Sequence, residues 1–227
     1  METDGKEIVD RMMKGMPRKL FVTGTDTDAG KSYATGWFAR LINQSGGNAM
    51  TMKFVQTGNK DYSEDIAVHR RIMGIEMTEE DLNHLTAPEI YSYPCSPDLA
   101  AKIDSRPIDL AAITEASDRL AEKYDTVLIE GAGGIMVPLS GEYLTIDYIR
   151  DHRLPVVLVT NSRLGSINHT LLALSAIERT GLELYAVIYN SYFDTDKIIA
   201  EDTRKYIKKH LENHLADTLF IEMNRII

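Results

Sequence analysis

Residues 24–32 read Gly-Thr-Asp-Thr-Asp-Ala-Gly-Lys-Ser, a glycine and a short polar loop closed by Gly30-Lys31-Ser32. Residues 19–23 before it are apolar enough for a buried strand, and residues 32–42 after it have helical composition. A strand, a glycine-bearing loop and a helix in that order make a phosphate-binding loop, because glycines let backbone N–H groups wrap an anion at a helix N-terminus. In that setting Lys31 reaches the β- and γ-phosphates and the Ser32 hydroxyl ligates Mg2+. The pattern predicts a nucleoside triphosphate site.

The rest of the chain alternates strands and helices. A helix ending at Gly46-Gly47 is followed by a predicted strand over 48–56 that carries Lys53 near its end. A lysine in a buried strand must be matched or exposed, so Lys53 reads either as a frayed end or as a cation aimed at an anion. Residues 57–107 are polar and proline-punctuated, predicting a lid or substrate wall with one helix over 64–73. A helix over 110–123 precedes an apolar strand over 124–129 that ends on Glu130, followed by Gly131, Ala132, Gly133 and Gly134. A carboxylate there lies outside the carboxyl end of a buried strand, where such sheets bind ligands and where the acidic Mg2+ partner belongs. Further strands over 155–160 and 183–189 flank a helix over 166–180, and the second ends on Asn190, whose amide can read a nucleobase edge. From residue 195 the chain reads as mostly helix, and the segment before Pro17 as a short amphipathic helix with Ile8, Val9, Met12, Met13 and Met16 on one side. The fold class expected is α/β: three layers, a mostly parallel central sheet with helices on both faces, of the phosphate-loop NTPase type, in a single domain over 1–227.

Composition narrows the function. A net charge of -9 argues against broad nucleic-acid or anionic-membrane binding. The one cysteine, Cys95, permits no intrachain disulfide and no cysteine-built zinc site, and no apolar run approaches the ~20 residues of a membrane span. The expectation is a cytoplasmic protein with small-molecule partners, no nucleic acid and no membrane.

Taken together, Phe21–Ser32, Lys53–Gly58, Ser63–Arg71, Pro94–Ala101, Ile129–Leu139, Ser162–Leu174 and the strand ending at Asn190 resemble the dethiobiotin synthetases, in that family's order. The resemblance implies ATP-dependent closure of a cyclic urea from 7,8-diaminononanoate and CO2 or bicarbonate, with ATP as co-substrate, Mg2+ as cofactor and a homodimer as the working form. It implies catalytic roles for Lys31, Lys53 and Thr57, and Mg2+ ligation by Ser32, Asp65 and Glu130. Nucleotide contacts fall to Thr27, Asp28, Ala29, Gly30, Lys31, Ser32, Tyr33, Glu130, Gly131, Gly133 and Asn190. Contacts to the diamine, its carbamate and its far carboxylate fall to Thr27, Asp28, Lys53, Thr57, Gly133, Gly134, Leu164, Ser166 and Asn168. Asp26 and Asp28 are unusual in an anion-binding loop, and a diamine substrate is expected to account for both.

Three positions depart from the family pattern. Phe54 replaces a usual proline, Asp98 a usual histidine, and the C-terminus lacks a Gly-x-x-Pro nucleobase loop. The competing reading is a phosphate-loop switch or partition ATPase acting through a protein partner. Such proteins usually carry a second lysine early in the loop, and here no lysine follows Gly24 until Lys31.

Overall fold

The computed structural model describes residues 9–224. Its centre is a six-stranded sheet whose paired strands all run parallel. In chain order the elements are β1 (Lys19–Gly24), α1 (Lys31–Gln44), β2 (Ala49–Lys53), β3 (Gln56–Thr57), α2 (Glu64–Met73), α3 (Glu79–Leu82), β4 (Ile90–Tyr91), α4 (Pro97–Ile103) and α5 (Leu110–Lys123). There follow β5 (Thr126–Gly134), β6 (Pro138–Ser140), β7 (Tyr143–Leu144), α6 (Thr145–Asp151), β8 (Val156–Asn161), α7 (Ser166–Thr180), β9 (Leu184–Asn190), α8 (Lys197–His214) and β10 (Leu219–Met223). The sheet order is β10-β9-β8-β1-β5-β2, which sets the phosphate-loop strand β1 between β8 and β5.

Side chains on a strand alternate between faces, and here each face meets its own core. Phe21, Val127, Ile129, Val156 and Leu158 pack with α5, α6 and α7 on one side. Leu20, Val22, Leu128, Val157 and Val159 pack with Ala34, Phe38 and Ile42 of α1 on the other. Strands buried on both faces need continuous apolar runs, which is why they were readable in the sequence. The expected three-layer α/β fold is what forms.

Three expectations change. The strand expected over 124–129 runs as β5 to Gly134, so Glu130 lies within the strand rather than at its end. The run 48–56 is not one strand: β2 stops at Lys53, and β3 leaves the sheet to pair with β4 instead. Phe54 is at the break, fully buried between Phe21 (ring centroids 5.3 Å) and Tyr148 (4.7 Å). The C-terminal stretch, expected as mostly helix, adds the edge strand β10, parallel to β9. It was missed because an edge strand is short and alternates buried with more exposed residues, here Leu219, Ile221 and Met223 against Phe220 and Glu222. Of the expected N-terminal apolar side, Met12 is fully buried in the α1-side core and Val9, Met13 and Met16 pack against it, while Ile8 lies outside the described residues.

Phe54 anchors the chain immediately after Lys53, so Phe54→Ala should cost about 3–5 kcal/mol by cavity formation. Equilibrium urea unfolding of the two proteins measures it, and a loss under about 1 kcal/mol would mean the aromatic cluster is not what seats this bend.

Candidate active site

The floor of the site follows from strand register. Lys53 is the last residue of β2 and lies directly beside Glu130 of β5. Its Nζ donates to Glu130 Oε1 at 2.8 Å and to the Gly131 carbonyl at 3.3 Å, and pairs with Asp65 Oδ2 at 2.5 Å. The Ser32 hydroxyl, in the first turn of α1, lies within hydrogen-bond reach of both carboxylates, 2.6 Å from Asp65 and 2.9 Å from Glu130. Asp65 arrives from the first turn of α2, which Ser63 caps by accepting from the Ile66 N–H at 3.2 Å. Burial alone would lower the Lys53 amine and raise the Glu130 carboxyl. The pairing outweighs it for both: Glu130 and Asp65 hold the Lys53 amine well above its usual range, and Lys53 and His69 hold Glu130 well below the carboxylate range.

The phosphate loop leaves β1 above this floor. Five residues separate Gly24 from Gly30, one more than the common phosphate-loop spacing, and a 3-10 turn over Thr27–Ala29 forms within that interval. Gly30 takes φ +87, where an L side chain is strained, and a Cβ there would overlap the Asn190 amide nitrogen. The glycine serves both the turn and the close approach. α1 then starts at Lys31 with no side-chain cap and no acidic residue in its first turn, leaving N–H groups for an anion. The Lys31 amine folds back onto the loop, donating to the carbonyls of Asp26 (2.8 Å) and Thr27 (3.2 Å). Burial, with the nearby Lys53 charge, lowers its pKa to about 8.

Two cavities open from the loop. One, of about 510 Å3, is lined by Thr27, Lys31, Ser32, Lys53, Thr57, Asp65, Glu130 and Gly133, with the Pro94–Pro97 segment as its far wall. The other, of about 470 Å3, is lined by Thr27, Asp28, Gly30, Tyr33, Asn190, Tyr192, Phe193 and Met223. The first gathers charged side chains, and the second is walled by Tyr33, Tyr192 and Phe193.

Residues 18–216 match a family model described as an AAA domain. The chain is 46% identical over 211 residues to the ATP-dependent dethiobiotin synthetase BioD 2 of Pasteurella multocida, spanning 93% of this chain and 99% of that one. It is 47% identical over 210 residues to the protein of the same name in Haemophilus ducreyi (92% and 100%), and 45% identical over 216 residues to dethiobiotin synthetase BioD of Chlorobaculum tepidum (95% and 90%). The chain belongs to the dethiobiotin synthetase family. A solved structure, the kinase domain of the Escherichia coli tyrosine kinase ETK, shares the fold at TM-score 0.52 and 14% identity, covering 85% of this chain and 74% of that one.

The expected dethiobiotin synthetase residues divide by location. Lys31, Ser32, Lys53, Thr57, Asp65, Glu130, Gly133 and Thr27 meet in the first cavity, with the Gly131 carbonyl on Lys53. Asp28, Gly30, Tyr33 and Asn190 line the second. Ala29 is buried under the loop, and its carbonyl accepts from Asn190 Nδ2 at 3.2 Å. The Asn190 Oδ1 accepts from the Tyr192 N–H at 3.1 Å, so both ends of this amide bond the protein itself. Gly134 faces the Gly24 carbonyl across the β1–β5 seam, where a Cβ would lie 3.4 Å away. Leu164, Ser166 and Asn168 line neither cavity: Leu164 and Asn168 are exposed, and Ser166 is buried, donating to Asn161 Oδ1 at 2.6 Å. Asp98 lies outside both cavities too, paired with Lys102 one helical turn on.

The expectation that a diamine accounts for Asp26 is corrected. Arg163 Nη2 donates to both Asp26 oxygens, at 2.8 and 2.7 Å, so a partner 137 residues away already balances that charge. Sequence reasoning also passed over His69, fully buried with Nε2 2.6 Å from Glu130 Oε2. A histidine on the inner stripe of an amphipathic helix reads as a packing residue, and only the meeting of α2 with β5 shows otherwise.

An amine titrating near 8 should lose its grip on phosphate as pH rises, since only the charged form attracts it. ADP affinity is expected to fall about tenfold between pH 7.5 and 9, measured calorimetrically. A flat profile would show that Lys31 stays charged in the free protein.

Proposed function

We propose that this chain closes the ureido ring of dethiobiotin from 7,8-diaminononanoate and CO2 at the expense of ATP. The single observation that carries the reading is the meeting of Lys31, Lys53 and Thr57 with Asp65 and Glu130 in one cavity, in a chain that matches dethiobiotin synthetases over nearly its whole length.

The chemistry suits those side chains. One amine of the diamine takes up CO2 and loses a proton, giving a carbamate anion, which the Lys53 ammonium and the Thr57 hydroxyl would hold. The carbamate oxygen attacks the γ-phosphorus of ATP, the bond from that phosphorus to the β-bridging oxygen breaks, and ADP leaves. Lys31 is the cation positioned for the moving phosphoryl group, and positioning with charge neutralisation is most of what phosphoryl transfer needs. The second amine then attacks the carbonyl carbon, inorganic phosphate departs, and the ring closes as that amine loses its proton.

Ser32, Asp65 and Glu130 would hold Mg2+, which supplies positive charge to the phosphate oxygens. The donor set fits: the Ser32 hydroxyl lies within 2.9 Å of both carboxylates, all three are hard oxygen donors, and the Lys53 ammonium beside them marks the spot as one that favours a cation. Among the described residues no cluster of three or more His, Cys, Asp or Glu is arranged to hold a metal by itself, so nucleotide oxygens and water would complete the octahedron. Asp28, at the rim where the two cavities share Thr27, is suited to orient an ammonium group of the diamine. Leu164 and Asn168, exposed at the start of α7 and outside the cavities, are suited to contact substrate in a second copy's site, the ground on which a homodimer is proposed, whereas Ser166 is buried against Asn161. No helix among the described residues is long and apolar enough to cross a membrane, and a protein working on small water-soluble substrates in the cytoplasm is the setting we propose.

The deciding assay follows ADP release with Mg-ATP and bicarbonate, with and without 7,8-diaminononanoate, and identifies the product by mass. Diamine-dependent ADP with a product of dethiobiotin mass is expected, whereas turnover indifferent to the diamine would favour the switch-ATPase reading. Lys53→Ala should abolish that turnover and also destabilise the fold by about 3–5 kcal/mol, because it strips the buried Glu130 of its main counter-charge. Added Mg2+ should recover part of the lost melting temperature. A variant as stable as the parent would contradict the ion-paired floor.

A further inference from the structure

We propose that His69 is a positioning residue for the metal-binding carboxylate: it holds Glu130 Oε2 so that Oε1 alone is presented to the cavity. The inference rests on the Mg2+ reading of Ser32, Asp65 and Glu130 given above. Glu130 uses its two oxygens differently. Oε1 accepts from Ser32 and Lys53, on the cavity side, while Oε2 is taken by His69 Nε2 at 2.6 Å, inside the protein.

The direction of that bond follows from the groups at both ends of the ring. Arg70 can only donate, and its Nη1 donates to Thr51 Oγ1 at 2.7 Å. The Thr51 hydroxyl proton is then free to point at His69 Nδ1, 3.0 Å away. At the other end of the ring, the ionised Glu130 carboxylate can only accept, so at 2.6 Å Nε2 carries the hydrogen and donates to it, and the Thr51 hydroxyl can serve Nδ1 as donor. Arg70 is itself fixed by a two-pronged contact with Asp81, Nε to Oδ2 at 2.8 Å and Nη2 to Oδ1 at 2.7 Å. The four side chains of this relay, from Asp81 to His69, are all buried.

The backbone is built to bring the imidazole in. Gly36 of α1 faces α2 at this residue, where a Cβ would lie 3.0 Å from His69 Cα and 3.2 Å from its carbonyl oxygen. Glycine therefore lets the two helices close to the distance at which the ring reaches Glu130. Outer partners that orient a ligating carboxylate typically change metal affinity by about 10–100-fold when removed.

The test titrates Mg2+ into the full-length protein at fixed ADP, and ADP into the protein in chelator, for wild type, His69→Leu, His69→Gln and Thr51→Val. The Mg2+ half-saturation should rise about tenfold or more in His69→Leu and less in His69→Gln, whose amide N–H can replace Nε2–H. Metal-free ADP affinity should stay at the wild-type value in both, which a merely structural loss would not give. A folded His69→Leu with wild-type Mg2+ half-saturation overturns the proposal. If His69→Leu does not fold, Thr51→Val decides: a several-fold rise supports the relay, and an unchanged value overturns it. Nucleotide binding by the wild type that is indifferent to Mg2+ would instead remove the metal reading on which the inference stands.

Discussion

A lysine ammonium shared between two carboxylates, where the end of β2 lies beside the middle of β5, is the contact on which the site depends. Parallel pairing sets Lys53 beside Glu130 with no freedom of register, because a slip of β2 by one residue would turn Lys53 through the sheet to the other core, away from Glu130. Neither charge is tolerable there alone, since burial penalises each by far more than a surface pair returns. With Asp65 supplied by α2, the cluster is one cation against two anions, and the Ser32 hydroxyl lies between the acids.

The same electrostatics set a pH window. The Glu130 carboxyl lies below its ordinary 4.5 in the folded protein, so its stabilising contribution is complete above that value and is lost as pH falls. The Lys53 amine lies above its ordinary 10.5, so its contribution is complete below that value and is lost as pH rises past it. Lys31 acts in the opposite sense. Lowered to about 8, it costs stability while charged, and the cost lifts as pH climbs from about 8 towards 10.5. The Lys31 charge is thus held at a cost to the fold.

How much of this was legible in the sequence follows from how local each feature is. The strands of the sheet interior announced themselves through apolar runs, and α2 was readable at its exact bounds because Ser63, two acidic residues and a closing Gly74 mark both ends. Lys53 and Glu130 stood out because a charge closing an apolar strand must find a partner, a ligand or solvent within a few ångströms. The break at Phe54 did not, since a buried phenylalanine suits a continuing strand as well as an aromatic cluster at a bend. His69, Arg70 and Asp81 could not be read at all as a relay: their meaning depends on α2 lying against β2, and on a glycine in α1 that lets α1 and α2 approach closely. β10 was lost to its length and to an exposed Glu222 that interrupts the apolar pattern.

The acidic phosphate loop illustrates why composition misleads about local charge. Two aspartates among residues 25–29 would repel a triphosphate if both faced it, yet they face different surroundings. Asp26 is clamped by Arg163 from the segment after β8, and the Arg163 guanidinium lies 5.0 Å over the Phe193 ring. That contact is about a third exposed on each side, so its energy is modest, on the order of 0.5 kcal/mol. Its consequence is geometric: one side chain ties the phosphate loop to Phe193 on the wall of the second cavity. Asp28 lines the second cavity, beside Thr27, which both cavities share. Nothing in the interval between Asp26 and Arg163 along the chain marks them as partners, and only the closure of β1 against β8 makes them so.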